Sequence, residues 1–271
     1  MKPAAFDYVR AESLDEALDV LRSEGGHARI IAGGQSLMPM LNMRLAKPRV
    51  LVDIMRLKEL HRIEPRQDKI AVGAAVRQAE LLEWPSLDRD LKLVSLALPW
   101  TGHVQTRSRG TICGSIAHAD PSAEMPLVLL ALGGEIVLLS ARKRRRVAAR
   151  DFFRGMMATD RDDDELIEAV EFPTSNGNRC AFREVARRHG DFAIVACAAV
   201  ATDRGVRLAV GGVADTPVAR DFEALEGSAL TDALNAFAYD LDARDDLHTT
   251  ARYRRDLVRM IGRELIEVVT R

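Results

Sequence analysis

Residues 28–32 (ARIIA) and 50–54 (VLVDI) are short apolar runs of strand length. The stretch between them, Ser36 to Leu45, carries Leu37, Met40, Leu41 and Leu45 at helical spacing. Two strands joined through a helix need a crossover connection, and the simplest pairing for them is parallel. A capping box, Ser13-Leu-Asp-Glu16, opens an earlier helix with Leu14, Ala17, Leu18 and Leu21 on one face, and Gly25-Gly26 closes it. Residues 1–55 therefore read as a small α/β unit whose first strand runs straight into Gly33-Gly34.

The pattern then changes. Leu60–Glu64 and Lys69–Ala74 are expected as two strands around a Pro-Arg-Gln-Asp turn. Helices are expected over Arg77–Trp84, Leu87–Leu98 and Pro121–Leu132, the last with proline in its first turn. Glu135–Ser140 and Lys143–Ala148 suggest a hairpin, and Asp164–Phe172 an edge strand ended by Pro173. Thr174-Ser-Asn-Gly-Asn178 has the composition of a linker. Beyond it, Arg179–Arg187, Phe192–Thr202 and Val206–Val213 read as a three-stranded meander. Helices are expected near Ala219–Leu225, Leu230–Tyr239 and Thr250–Val269. Strands followed by helices point to a separate α+β domain.

Charge and cysteine usage exclude several classes. Thirty-nine Lys and Arg against 40 Asp and Glu leave a net charge of −1, without the basic excess of a nucleic-acid binder. The basic run Arg142–Arg146 and the acidic run Asp160–Glu165 read as two solvated loop faces. Cys113, Cys180 and Cys197 form no C-x-x-C pair, and three scattered thiols cannot supply the four ligands of a [2Fe–2S] cluster. No apolar run approaches the roughly 20 residues of a membrane-spanning helix. The first residues, MKPAAFDYVRAESLDEA, lack a secretory h-region, so a cytoplasmic location is expected.

Two segments rich in small residues are candidate sites. In the first, AGGQS at 32–36, glycine permits positive φ and close approach to a ligand. Its successive N–H groups beside a helix start suit an anion, with Gln35 and Ser36 as further donors. A plain strand–helix turn is the other reading, since neither G-x-G-x-x-G nor Gly-Lys-Ser/Thr is present. The second segment is RGTICGSIAHADPSAEMP at 109–126. Gly110, Thr111, Gly114, Ser115, Ala117 and Ala119 are small enough to lie against a flat ligand, and His118, Asp120 and Glu124 could meet ribose hydroxyls. A tight turn with a helix cap at Asp120 or Ser122 is the alternative, and His118 with Asp120 does not make a metal site. Together the two segments could hold opposite parts of one dinucleotide.

In these residues the chain resembles the medium, FAD-binding subunit of the molybdenum-containing hydroxylases. That family includes carbon monoxide dehydrogenase, the nicotine and other aza-heterocycle dehydrogenases, and the flavin domain of xanthine dehydrogenase. The resemblance runs through IIAGGQSLMPMLNMRL, HVQTRSRGTICGSIAHADPSAEMP, DELIEAVEFP, FREVARRHGDFAIV and TTARYRRDLVRMI. ARRHGDFA looks most like the aza-heterocycle and nicotine branch. Two departures stand out: Cys113 where relatives commonly have glycine, and Ser108 where many have asparagine. Cys113 is expected to be a buried, inert thiol.

The resemblance implies an α+β architecture with a two-subdomain PCMH/VAO-type FAD-binding fold over 1–175, divided near 55. A C-terminal domain over 176–271, with a three-stranded antiparallel sheet and helices, follows. It implies that Ala32, Gly33, Gly34, Gln35, Ser36 and Leu37 hold the pyrophosphate of a non-covalent FAD, with Thr111, Gly114 and Ser115 opposite. Ala117, His118 and Asp120 would line the cradle, and Glu124 would meet the ribose or adenosine. Thr101, His103 and Leu166 or Ile167 would lie near the flavin, Arg183 would tune it electrostatically, and Asp191 and Phe192 would cover one face. It implies electron transfer from the [2Fe–2S] clusters of a small partner chain to an external acceptor. The molybdenum cofactor and the substrate site would belong to a large partner chain, in a dimer of heterotrimers. No catalytic residue and no metal ligand is expected in this chain. A stand-alone flavin oxidase and a non-redox nucleotide-binding or assembly module are the alternatives.

Overall fold

The computed structural model describes residues 2–224 and 226–271. The opening unit is built from β1 (Asp7–Arg10), α1 (Leu14–Glu24), β2 (Ala28–Ile31), α2 (Leu37–Asn42) and β3 (Val50–Asp53). Both β1 and β2 pair with the central β3 in parallel, as the crossover connections require. Ser13 caps α1 by accepting from the Glu16 N–H at 3.1 Å, while Glu16 reaches back to the Glu12 N–H at 2.7 Å rather than to that of Ser13. Ala17, Leu18 and Leu21 bury the inner face of α1.

The second unit holds β4 (Ile63–Arg66), β5 (Lys69–Gly73), helices α3 (Gln78–Leu82), α4 (Leu87–Asp90), α5 (Lys92–Ala97), α6 (Val104–Arg107), α7 (Ile112–His118) and α8 (Glu124–Leu132), and strands β6 (Glu135–Leu139) and β7 (Arg144–Ala148). A short α9 (Ala149–Phe152) and a small hairpin of β8 (Phe153–Gly155) and β9 (Ala158–Thr159) lead to β10 (Leu166–Pro173). The sheet order is β4-β5-β10-β6-β7. The expected edge strand is thus the centre of the sheet, which is why its residues are apolar on both faces. The expected helix over Leu87–Leu98 breaks at Leu91, and α8 begins at Glu124, leaving Pro121 in the preceding loop and Pro126 in the first turn.

The basic and acidic runs are not two solvated loop faces. Arg144–Arg146 lie in β7, and the side chains of this segment pair along its length: Arg142 with Asp164, Lys143 with Asp162, Arg144 with Glu168, Arg145 with Asp160 and Glu165, and Arg146 with Glu171. Glu165 is fully buried, and Arg145 meets both its oxygens at 2.7 Å. Burial alone would raise the Glu165 pKa, but the Arg145 hydrogen bonds and charge bring it below the ordinary carboxylate value.

After the turn at 174–178 come β11 (Cys180–Val185), β12 (Val195–Thr202), β13 (Gly205–Gly211) and β14 (Val218–Glu223), then α10 (Gly227–Asp240) and α11 (Ala251–Thr270). The antiparallel sheet has four strands, not three. The helix expected near Ala219–Leu225 is instead β14, with Leu225 outside the described residues; Val218–Glu223 pair antiparallel with β13, and Phe222 is buried. Side chains alternate across β12. Ala196, Ala198 and Val200 join the core shared with the first domain, whereas Val195, Cys197 and Ala199 pack under α10 and α11.

Candidate functional site

The strand-to-helix loop after β2 is left with free donors. Among the described residues, the N–H groups of Gly33, Gly34, Gln35, Ser36 and Leu37 find no acceptor within the chain. Gln35 folds its amide back onto the Gly33 carbonyl at 3.1 Å, and Gly34 takes φ +70, the left-handed region that opens the turn. Loop groups without internal partners require water or a ligand.

The same loop sits directly on the second glycine segment. A Cβ on Gly33 would lie 2.1 Å from the Arg109 carbonyl oxygen and 2.7 Å from the Gly110 Cα, so only glycine allows this approach. Gly110 is fixed from behind, its carbonyl accepting from the Gln78 N–H at 2.8 Å and its N–H donating to Thr106 at 2.7 Å. Thr111 caps α7 through its hydroxyl, which accepts from the Gly114 N–H at 3.0 Å. Ile112, Cys113 and Ile116 bury one side of α7, leaving Gly114, Ser115, Ala117 and His118 on the open side. Ala119 ends the helix in the left-handed conformation, and Asp120 accepts from the Ser122 N–H at 2.8 Å. Loop 32–37 thus meets the small-residue segment at Arg109 and Gly110, just ahead of α7.

At the far end of α7 the polar groups are buried. The Thr101 hydroxyl donates to Glu124 at 3.0 Å, and both residues are buried. Burial pushes the Glu124 carboxyl up to about 7, against the opposing pull of its own backbone N–H and Thr101. Gly190, at φ +87, packs against His103, and His189 stacks on Trp100 with ring centroids 4.9 Å apart. The loop after β11 is thereby seated on segment 100–103. Asp191 pairs with Arg188 at 3.2 Å, while Phe192 is 73% exposed.

Residues 4–175 match the family described as the FAD binding domain in molybdopterin dehydrogenase, and residues 180–268 match the CO dehydrogenase flavoprotein C-terminal domain. The chain belongs to this FAD-binding family. It is 38% identical to the 6-hydroxypseudooxynicotine dehydrogenase complex subunit alpha of Paenarthrobacter nicotinovorans, over 100% of this chain and 97% of that protein. It is 36% identical to the glyceraldehyde dehydrogenase medium chain of Sulfolobus acidocaldarius, over 96% and 97%. Among solved structures, quinoline 2-oxidoreductase from Pseudomonas putida 86 matches with a TM-score of 0.92 at 34% identity, covering 99% of this chain and 98% of that one. These relatives are subunits of oxidoreductases, and the fold is that of a medium chain with an FAD-binding domain and a C-terminal domain.

The residues present fit the cofactor of this family of FAD-binding domains. A row of unpartnered N–H groups suits a pyrophosphate, and Gly33 lets their loop pack directly onto the Arg109–Gly110 main chain. The structure sets Gly33 against Arg109 and Gly110, just ahead of Thr111 and α7, joins Thr101 to Glu124, and seats His103 against Gly190 beside Asp191 and Phe192.

Three expected residues lie elsewhere. Leu166 and Ile167 are buried in the main core at 0% and 4% exposure, and Leu166 has no surface to offer a ligand. Arg183 faces away: it lies opposite Cys197, on the sheet face covered by α10 and α11, and forms an ion pair with Glu264. Its neighbour Glu184, opposite Ala196, faces the first domain instead. Glu184 is not legible in the sequence, because one acidic residue in a short strand carries no signal of burial. Arg254 of α11 likewise carries no sequence signal; it is buried and donates to Ile194 O at 2.7 Å and to Gly212 O, while pairing with Asp246. Gly212 in turn donates its N–H to Pro121 O at 2.8 Å, so this arginine ties the C-terminal domain to the cradle.

Proposed function

We propose that this chain is the electron-transfer flavoprotein subunit of a molybdenum hydroxylase, with a domain division at 175/176. In this reading Gly33 to Leu37 donate to the FAD pyrophosphate, with Thr111, Gly114 and Ser115 facing them across the cradle. Ala117, His118 and Asp120 border the ribityl and ribose region. Thr101 and His103 with the Asp191–Phe192 loop enclose the flavin end, and Glu124 meets the ribose or adenosine. FAD, when bound non-covalently there, supplies the exchange between one-electron and two-electron chemistry; the protein supplies binding, orientation and electrostatics. Single electrons arrive from the [2Fe–2S] clusters of a small partner chain, and an external acceptor removes them. The substrate is oxidised at the molybdenum cofactor of a large partner chain. The assembly is a cytoplasmic dimer of heterotrimers. An aza-heterocyclic substrate is favoured by the nicotine-type and quinoline relatives.

The observation that supports the reading is the row of unpartnered donors from Gly33 to Leu37, on a loop that packs against Gly110 just ahead of α7. The test is an FAD titration of the purified chain followed by absorbance, then reduction through the two co-expressed partner chains. Stoichiometric flavin, bleached only when both partners and substrate are present, is expected. Absence of flavin binding refutes the reading, and oxidation of an organic substrate by the isolated chain assigns it to the stand-alone oxidase class.

A further inference from the structure

Gln78 opens α3 and is 3% exposed, yet its side-chain Oε1 is buried with no hydrogen-bond partner among the described residues. A buried amide oxygen left unpaired is destabilising, so hydrogen bonding does not account for this side chain. Its packing does.

Segment 76–78 runs antiparallel to 110–112. The Gln78 N–H donates to Gly110 O at 2.8 Å and the Ile112 N–H donates to Val76 O at 3.3 Å, on either side of an Arg77–Thr111 bridge. The Gln78 side chain then lies against Gly110 itself. A Cβ on Gly110 would meet Gln78 Oε1 at 3.0 Å, Thr106 O at 3.0 Å and Gln78 Cδ at 3.4 Å as its three nearest atoms. None of these belongs to loop 32–37, which reaches Gly110 from another side: a Cβ on Gly33 would lie 2.7 Å from the Gly110 Cα. Gly110 is therefore held between the loop and Gln78. The support is firm. Glu80 accepts from the Arg77 N–H at 2.8 Å and pins the start of α3, and Leu81 is fully buried in the core.

We propose that Gln78 is a positioning residue for the donor row: its side chain backs Gly110, and through Gly110 it fixes the place of Gly33 and the N–H groups that follow it. The consequence for FAD rests on the flavin reading of the site; the mechanical coupling of Gln78 to Gly33 does not. Shortening the side chain leaves a void behind Gly110, and the main chain at 109–110 relaxes into it. Gly33 moves with its seat, and the donors leave the positions a pyrophosphate needs. The task is one of shape, so a methionine, which has similar length and no amide, keeps the support.

Two measurements on the full-length chain test this. The first is a thermal double-mutant cycle of Gly33→Ala and Gln78→Ala, followed by circular dichroism. The alanine at 33 pushes on a Gly110 that is backed in one background and free to yield in the other. The fall in Tm caused by Gly33→Ala is expected to be at most about half as large in the Gln78→Ala background. Equal falls in the two backgrounds overturn the proposal. The second is an FAD titration by flavin fluorescence. Gln78→Ala is expected to weaken binding at least about tenfold, the worth of one hydrogen bond to a charged group, with Gln78→Met within about threefold of wild type. Wild-type affinity in Gln78→Ala overturns the proposal. So does an equal loss in the alanine and methionine variants, which would assign the effect to the amide rather than to its backing of Gly110. Where Gln78→Ala does not fold, Gln78→Asn, one methylene shorter than wild type, takes its place in both measurements. A wild type that binds no FAD overturns the flavin reading alone, and the thermal cycle still decides whether Gln78 acts on Gly33.

Discussion

Replacing Gly33 with alanine tests the junction of the two glycine segments. The new Cβ would sit 2.1 Å from the Arg109 carbonyl oxygen and 2.7 Å from the Gly110 Cα. An ordinary contact begins near 3.4 Å, so the segments must part by about 1.3 Å. Overpacking typically costs about 1–3 kcal/mol, and because the obstacle is main chain rather than a mobile side chain, the cost should fall near about 3 kcal/mol. For a chain of this size that corresponds to a Tm lower by about 6–12 °C. The displacement also moves the donor row relative to α7. Loss of one hydrogen bond to a charged group is worth about 1.5–3 kcal/mol, so FAD affinity should fall at least about tenfold. Gly34→Ala is the control. Its Cβ meets only the flexible Met38 Cγ at 3.3 Å and the Ile31 side chain, and the main penalty is the left-handed φ of +70, about 1–2 kcal/mol. Thermal unfolding by circular dichroism and FAD titration by flavin fluorescence measure both quantities. A Gly33→Ala protein with Tm within about 2 °C of wild type would show that the close approach is not a constraint.

Arg254→Ala should cost about 3 kcal/mol, because Ile194 O, Gly212 O and Asp246 lose a shared buried donor; Arg254→Lys should restore little, since one ammonium cannot reproduce the fork. Scanning calorimetry of the two variants measures this, and full recovery in the lysine variant would contradict it. Glu124 and Glu184 have folded-state pKa values raised by burial to about 7 and about 8, so the stability they contribute is fully present at low pH and lost as pH rises through those values. Glu184→Gln should therefore match the wild type near pH 5 and exceed its Tm above about pH 8; a constant difference across pH would refute the sign. Cys113 is buried, with its thiol pushed up to about 12, so a maleimide at about pH 8 should label it only after denaturation. Mass spectrometry of a peptide digest reports the labelled position.

Local chemistry was legible wherever one element carried its own signal. The Ser13 cap, the parallel pairing of β2 with β3 and the hairpin of β6 and β7 follow from spacing and turn residues, whereas β1 carries no such signal in the sequence. Both glycine segments were visible as sites, but their contact at Gly33 and Gly110 spans more than seventy positions of chain and leaves no periodic mark. Pro173 makes β10 read as an edge strand in the sequence, although its central place depends on β5 and β6. VARDFE falls where the sequence suggests a helix, and β13 supplies the pairing that makes it a strand. The orientation of Arg183 was out of reach for the same reason, since adjacent strand residues face opposite ways and only the sheet's neighbours say which is which.

That alternation in β11 makes the short turn at 174–178 a frame-setter. Inserting or deleting one residue there, without a compensating bulge, would turn every β11 side chain to the other face. Arg183 would then enter the seam beside Glu124, and Glu184 would meet Glu264 under α11, exchanging an acid–acid neighbourhood for an acid–base one. The length of a five-residue loop therefore sets the sign of the charge that the C-terminal sheet presents to the cofactor domain.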